Sequence, residues 1–304
     1  MIDSTEPAID LQHVTRRFGR TTAVSDLSLR VAAGQTFGFI GLNGAGKTTT
    51  IRMMVGLLAP HGGTIRVAGC EIPGQRDAMK SQVGYVPDRP NVYSWMHVAE
   101  AISFCKSLYP TWNGSYVAEL LKTFDLDLSK RVKHLSKGMA AKLQLLLALG
   151  HDPKILILDE PMSGLDPLVR EEFLEGLVAA VAERGQTVLF SSHTLSDVQR
   201  LADSIGLLHE GRLLLHSPID QLLDKTKRIR AVLKDSARPM ATPPGVIWQK
   251  ANGREWMLTV ENFSRTQVEF LRDKNSVENV DVLDLSLDDV FKDYVRGQQA
   301  KETL

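Results

Sequence analysis

Three things are scarce in this sequence of 304 residues. There are two cysteines, Cys70 and Cys105, far apart and outside any metal-ligand spacing. That rules out a disulfide framework or a zinc module and predicts two buried or half-buried thiols in a reducing compartment. There is no excess of one charge, since Lys plus Arg and Asp plus Glu each number 36, so nothing points to a nucleic-acid partner. There is also no long apolar run. A membrane span needs roughly 18 such residues, whereas LQLLLALG (143–150) and KILILDE (154–160) fit a buried helix and a buried strand. The opening MIDSTEPAIDLQHV lacks the apolar centre of a secretory signal. The expectation is a soluble, cytoplasmic chain. Its composition, 43% hydrophobic and 24% charged, suits one large domain and a smaller one.

What is present is ordered by period. Residues 9–33 alternate apolar and polar positions around turn signals, predicting two or three antiparallel strands. TFGFIGLNGAGKTTTIRMMVGLL (36–58) reads as a buried strand, a glycine-rich turn and an amphipathic helix; GGTIRVAGCEI (62–72) and QVGYVPD (82–88) read as further strands. From 95 to 150 the spacing becomes helical. Strands return at ILILDE and TVLFSSH (187–193), with a helix over 168–184 between them, and IGLLHEGRLLLHS (205–217) predicts a hairpin turning at Glu210-Gly211. That order implies a parallel sheet with crossover helices, interrupted by a helical insertion. Near residue 225 the character changes. A strand, a hairpin, a helix, a strand and a terminal helix capped at Ser286 follow, with a loop at 237–245. Residues 225–304 predict a small α+β appendage without chemistry of its own.

The chemistry concentrates in three short runs. Gly41-Leu42-Asn43-Gly44-Ala45-Gly46-Lys47-Thr48 has the spacing of a phosphate-binding loop and stands between an apolar strand and a helix, the context such a loop requires. Gly41, Asn43, Gly44, Ala45 and Gly46 would wrap phosphates with backbone N–H groups, with Thr49 just beyond. Lys47 would reach the β- and γ-phosphates, and the Thr48 hydroxyl would hold Mg²⁺. Ile155 to Leu158 end in Asp159 and Glu160, where a carboxyl-end aspartate can hold Mg²⁺ through water and the glutamate can polarise an attacking water. His193 ends the next apolar strand, where an imidazole can contact a γ-phosphate. Taken alone, His193 reads as a core or cap residue; its place beside the carboxylate strand favours the catalytic role.

Residues 134–150, HLSKGMAAKLQLLLALG, pose a further question, because a second helix begins with a hydroxyl and a glycine where free N–H groups attract anions. With the runs above, Leu135-Ser136-Lys137-Gly138-Met139 resembles the signature of the nucleotide-binding domains of ABC transporters, usually written LSGGQ, and the resemblance covers residues 9–220. It implies an α/β P-loop NTPase with a RecA-like core, an antiparallel β subdomain and a helical insertion (about 90–150) within residues 1–224, followed by the α+β accessory domain 225–304. It implies that Ser136 and Gly138 bind the γ-phosphate of an ATP held by another subunit. It further implies that Phe18 stacks on adenine, that Ser163-Gly164-Leu165-Asp166 is the loop crossing between subunits, and that Asp88 stands near the metal. A hairpin-core role for Phe18 stays open beside the stacking one.

Lys137 and Met139 depart from the usual signature, and Asp88 replaces a common glutamine, as an acid does in the ABC-2 type exporter ATPases that this chain resembles. The expected cofactors are ATP and Mg²⁺. The expected partners are a second copy or a paralogue and an integral membrane permease, which holds the chain at the inner face of the cell membrane. Tyr85 to Trp95, with Pro87, Pro90 and Tyr93, reads either as the surface that receives the permease or as internal packing of the insertion. The implied function is ATP hydrolysis powering export through the permease, to which the cargo contacts belong; a soluble ABC ATPase that moves nothing is the alternative.

Overall fold

In the computed structural model, residues 6–181, 184–234, 241–274 and 277–302 are described. Residues 182 and 183 of the helix expected over 168–184, and 237–240 of the expected loop, lie outside them. The chain forms two compact units, Met1–His216 and Ser217–Leu304.

The first unit holds two sheets. Strands β1 (Ile9–Phe18), β2 (Thr21–Val31), β4 (Gly62–Val67) and β5 (Cys70–Ile72) form an antiparallel sheet in the order β2-β1-β4-β5. Buried and exposed residues alternate along β2, as a half-covered sheet demands. So residues 9–33 make two strands. The second sheet contains β3 (Thr36–Ile40), β6 (Val83–Val86), β7 (Ile155–Leu158), β8 (Thr187–Ser192), β9 (Ser204–His209) and β10 (Arg212–Pro218), in the order β10-β9-β3-β8-β7-β6. Each pairing from β9 to β6 is parallel. Strands β7, β8 and β9 are buried along their whole length, because helices cover a parallel sheet on both faces. One apolar cluster joins the two sheets: Ile9, Leu11 and Ile65 meet Phe37, Phe39, Ile155 and Leu208, with Ile51 of helix α1 (Lys47–Met54) among them.

Helices α2 (Arg76–Lys80), α3 (Val98–Leu108), α4 (Gly114–Thr123) and α5 (Lys137–Leu149) follow, with a 3₁₀ turn at Val132–His134. Helix α5 is buried continuously from Leu143 to Leu149. Helices α6 (Pro167–Val181) and α7 (Leu195–Leu201) make the later crossovers.

The second unit starts with α8 (Ile219–Lys225), ahead of the change in character at residue 225. Strands β11 (Lys227–Leu233), β12 (Val246–Asn252), β13 (Glu255–Val260) and β14 (Val277–Asp284) form an antiparallel sheet ordered β12-β13-β11-β14. Helices α9 (Arg265–Lys274) and α10 (Leu287–Glu302) complete the unit. Its own core is Ile229, Ala231, Trp256, Leu258, Val260 and Leu271. The Ser286 hydroxyl accepts the Asp289 N–H at 3.2 Å, and Asp288 and Asp289 occupy the first turn of α10.

Candidate functional site

The site lies at the carboxyl ends of β3, β6, β7 and β8, where an open parallel sheet places ligands. After Ile40 the chain turns through Gly41 to Gly46 into α1. Gly46 is left-handed, with φ +105°, and a Cβ there would lie 2.5 Å from the Ala23 carbonyl oxygen, so only glycine closes this turn. Ala45 is buried, while Asn43 and Gly44 are exposed at the loop's tip and Thr49 is half-buried. Lys47, at the first position of α1, is 5% exposed. Its ammonium donates to the Gly41 carbonyl at 2.6 Å and lies 3.1 Å from Glu160 Oε1. A cation at a helix amino end opposes the helix dipole, so this one is stabilised by acceptors around it.

Asp159 is fully buried. Its Oδ1 accepts hydrogen bonds from the Thr48 hydroxyl at 3.1 Å and the Ser191 hydroxyl at 2.9 Å, while Oδ2 has no partner. Burial pushes the carboxyl above its ordinary range; the two hydroxyls oppose this and the charges of Asp88 and Glu160 reinforce it. A buried carboxylate with one bare oxygen, beside a threonine hydroxyl, fits a divalent cation. The next residue, Glu160, is left-handed at φ +49°, an unusual backbone for a glutamate that aims its side chain back across the strand ends. Its N–H donates to Ser191 at 2.8 Å, its Oε1 faces Lys47, and its Oε2 lies 2.7 Å from His193 Nδ1. Lys47, Glu160 and His193 are thus brought together in one chain of polar contacts. Asp88, after β6, lies near enough to raise the Asp159 carboxyl and pairs with Arg52 at 3.6 Å.

Phe18 ends β1 and is 49% exposed with the Arg16 guanidinium 4.8 Å from its ring centre, so it is not a hairpin-core residue. It faces Thr21, on the strand whose Ala23 abuts Gly46, which sets it on the side of the phosphate-binding loop. Ser136 caps α5, its hydroxyl accepting the Met139 N–H at 3.2 Å. Gly138 has a reason inside the subunit as well, since a Cβ there would come 2.2 Å from Val169 of α6. Asp166 caps α6 by accepting the Val169 N–H at 3.1 Å. Among the described residues no hydrogen bond or ion pair joins Ser136, Gly138 or Asp166 to the Lys47–Glu160–His193 group.

Sequence reasoning passed over Ser191 and Arg52. A fully buried serine at the end of an otherwise apolar strand was the available signal for Ser191, because buried hydroxyls need partners. Nothing in the helical period of α1 marks Arg52.

Beside β6 lies a cleft of about 360 Å³ lined by Val55, Tyr85, Tyr93, Phe104, Gln144 and His151, among others. Tyr93 and Trp95 stack at 5.7 Å and remain 54% and 62% exposed, while Tyr93 also meets Phe104 of α3 edge to face at 6.3 Å, so the pair is surface-facing with one contact to the insertion.

Comparison with known proteins agrees with this geometry. The family model for ABC transporters matches residues 24–163. The bacitracin transport ATP-binding protein BcrA of Enterococcus faecalis is 35% identical over 225 residues, 73% of this chain and 73% of that protein. The ABC transporter ATP-binding protein YhaQ of Bacillus subtilis (strain 168) is 32% identical over 292 residues, 93% of this chain and 97% of that one, a span that reaches into the second unit. The Nod factor export ATP-binding protein I of Paraburkholderia xenovorans (strain LB400) is 37% identical over 68% of this chain and 69% of its own length. A solved ATP-binding subunit of an ABC transporter superimposes with a TM-score of 0.64 at 30% identity, covering 70% of this chain and 90% of that one. The chain belongs to the ATP-binding proteins of ABC transporters and is an ATPase.

Proposed function

We propose that this chain is the motor of an exporter: two copies, or one copy and a paralogue, close head to tail on two ATP molecules and drive a membrane permease. The observation that carries the reading is the division of the phosphate-facing groups within one chain. Lys47, Thr48, Asp159, Glu160 and His193 converge, whereas Ser136 opens a separate helix with no acidic residue in its first turn. Such a helix start favours an anion, and in a head-to-tail pair it meets the γ-phosphate on the other subunit. Export is supported by similarity to the bacitracin transport and Nod factor export proteins.

In this reading Thr48, Asp159 and Asp88 would hold Mg²⁺, which would supply neutralisation of the β- and γ-phosphate oxygens. Lys47 exchanges its carbonyl contacts for those oxygens. Glu160 orients and polarises the attacking water, and His193 holds the Glu160 carboxylate in place from its other side. Phe18 offers its exposed ring to adenine. The cleft beside β6, rimmed by exposed Tyr93, Phe104 and Leu108 with Trp95 stacked on Tyr93, receives a segment of the permease, which holds the chain at the inner face of the membrane. No helix among the described residues is long and apolar enough to cross a membrane.

The test is light scattering on Glu160→Gln, which keeps the shape of the side chain and removes the charge that polarises water. With Mg-ATP its mass should double relative to Mg-ADP. A chain that stays monomeric in both nucleotides would overturn closure on ATP as a property of this subunit.

A further inference from the structure

Asp88 has a cation of its own before any metal arrives. Arg52, in the last turn of α1, lies with its guanidinium 3.6 Å from the Asp88 carboxylate. The same guanidinium lies near enough to the Tyr85 hydroxyl to oppose the shift of that group, which is pushed up to about 12 first by burial and then by the charges of Asp159 and Asp88. Tyr85 itself is half-buried against the core of the first unit. A guanidinium held this way does two things to a divalent cation nearby. It occupies the carboxylate the cation would use, and its positive charge opposes the cation directly. An amide at position 88 would form no ion pair with Arg52.

We propose that Arg52 is a positioning residue that sets how tightly the site takes a divalent metal, by holding Asp88 until metal and nucleotide displace it. This rests on the assignment of Asp88 to the metal. Arg52 and Asp88 are half and one-third exposed, so the pair is weak enough to exchange. The device is a competition: the carboxylate alternates between an arginine on the phosphate-loop helix and a metal held with Asp159 and Thr48.

The experiment measures Mn²⁺ binding to the full chain by electron paramagnetic resonance of free Mn²⁺, with a non-hydrolysable ATP analogue present. Arg52→Met, Asp88→Asn and the double variant complete a cycle. Asp88→Asn should weaken Mn²⁺ binding. Arg52→Met should tighten it by about fivefold, the upper range for an exposed pair, and should lose that effect in the Asp88→Asn background. Arg52→Gln repeats the measurement should methionine disturb α1, which metal-free melting would reveal. An unchanged affinity in Arg52→Met, or an equal tightening with Asp88 removed, overturns the inference while the metal role of Asp88 stands. An Asp88→Asn protein that binds Mn²⁺ like the parent sinks that underlying assignment, and this inference with it.

Discussion

Among the described residues each unit of the molecule buries one aspartate completely, and the two are treated differently. Asp293, on α10, meets the Arg228 guanidinium and the Thr259 hydroxyl. Asp159, after β7, meets two hydroxyls, and among the described residues no ion pair reaches it. Burying a carboxylate without a counter-charge costs several kcal/mol in real proteins, so each acid needs a cation. The second unit builds that cation into its own sheet. The first leaves the place for one from solution. The two serine caps repeat the lesson: Ser286 is followed by Asp288 and Asp289, which match the dipole of α10, whereas Ser136 is followed by Lys137 and by no acid in the first turn of α5. Balanced charge marks structure here, and unbalanced charge marks chemistry.

The sharpest way to break this contrast is to neutralise both aspartates. Asp159→Asn keeps the shape and the hydroxyl contacts while removing the charge that a divalent cation answers. ATP hydrolysis should fall by about a hundredfold or more, since a metal ion contributes several kcal/mol of charge stabilisation in the transition state. Melting in metal-free buffer should stay level or rise, because burial already disfavours the charged form. A variant that hydrolyses ATP normally, or that melts much lower without metal, would make Asp159 a structural acid like its counterpart.

Asp293→Ala should do the reverse. It leaves Arg228, whose side chain is 20% exposed, without its carboxylate, and breaking such a pair costs about 3 kcal/mol. Denaturant unfolding would register this as a loss of stability in the second unit, with the Mn²⁺ affinity of the first unit unchanged at temperatures where both are folded. Unfolding at the parent's midpoint would show that Arg228 can find water or another partner instead.

How much of this was legible follows the range of each interaction. The phosphate-binding loop, the Asp159-Glu160 pair and the capped start at Ser286 are local patterns, fixed by spacing along a few residues, and they could be read directly. The parallel sheet followed from the alternation of apolar strands with helices. What could not be read depends on residues distant in the chain. The signature pattern gives Gly138 a ligand contact, while Val169 presses on it from α6 in a way no local pattern shows. Arg52 carries no mark in the helical period, and only the fold brings Asp88 of the segment after β6 beside it. Composition changes near residue 225, whereas the compact units divide at Ser217 and α8 belongs to the second. His151 gave no hint that its imidazole would be buried in the cleft, stacked at 4.0 Å on Tyr109, with its affinity for a proton lowered by burial.

The smallest effect makes the finest test. Ser136 and Ser286 share one capping contact, each hydroxyl accepting an N–H three residues on at 3.2 Å, and Ser286 also donates to the Asp289 carboxylate at 2.7 Å. Alanine at Ser136 should therefore cost about 1 kcal/mol, as lost helix caps do, and alanine at Ser286 at least as much. Function should separate what stability does not. In the Glu160→Gln background, Ser286→Ala should leave the ATP-dependent doubling of mass intact, whereas Ser136→Ala should shift it to higher ATP concentration, because that hydroxyl has a phosphate to meet as well as an amide. A melting loss at Ser136 no larger than that at Ser286, with ATP dependence shifted only by Ser136→Ala, would confirm that α5 begins at an anion site. If both variants close on ATP at the parent's concentration, Ser136 is a cap and nothing more, and the unmatched charge at the start of α5 is left without a ligand.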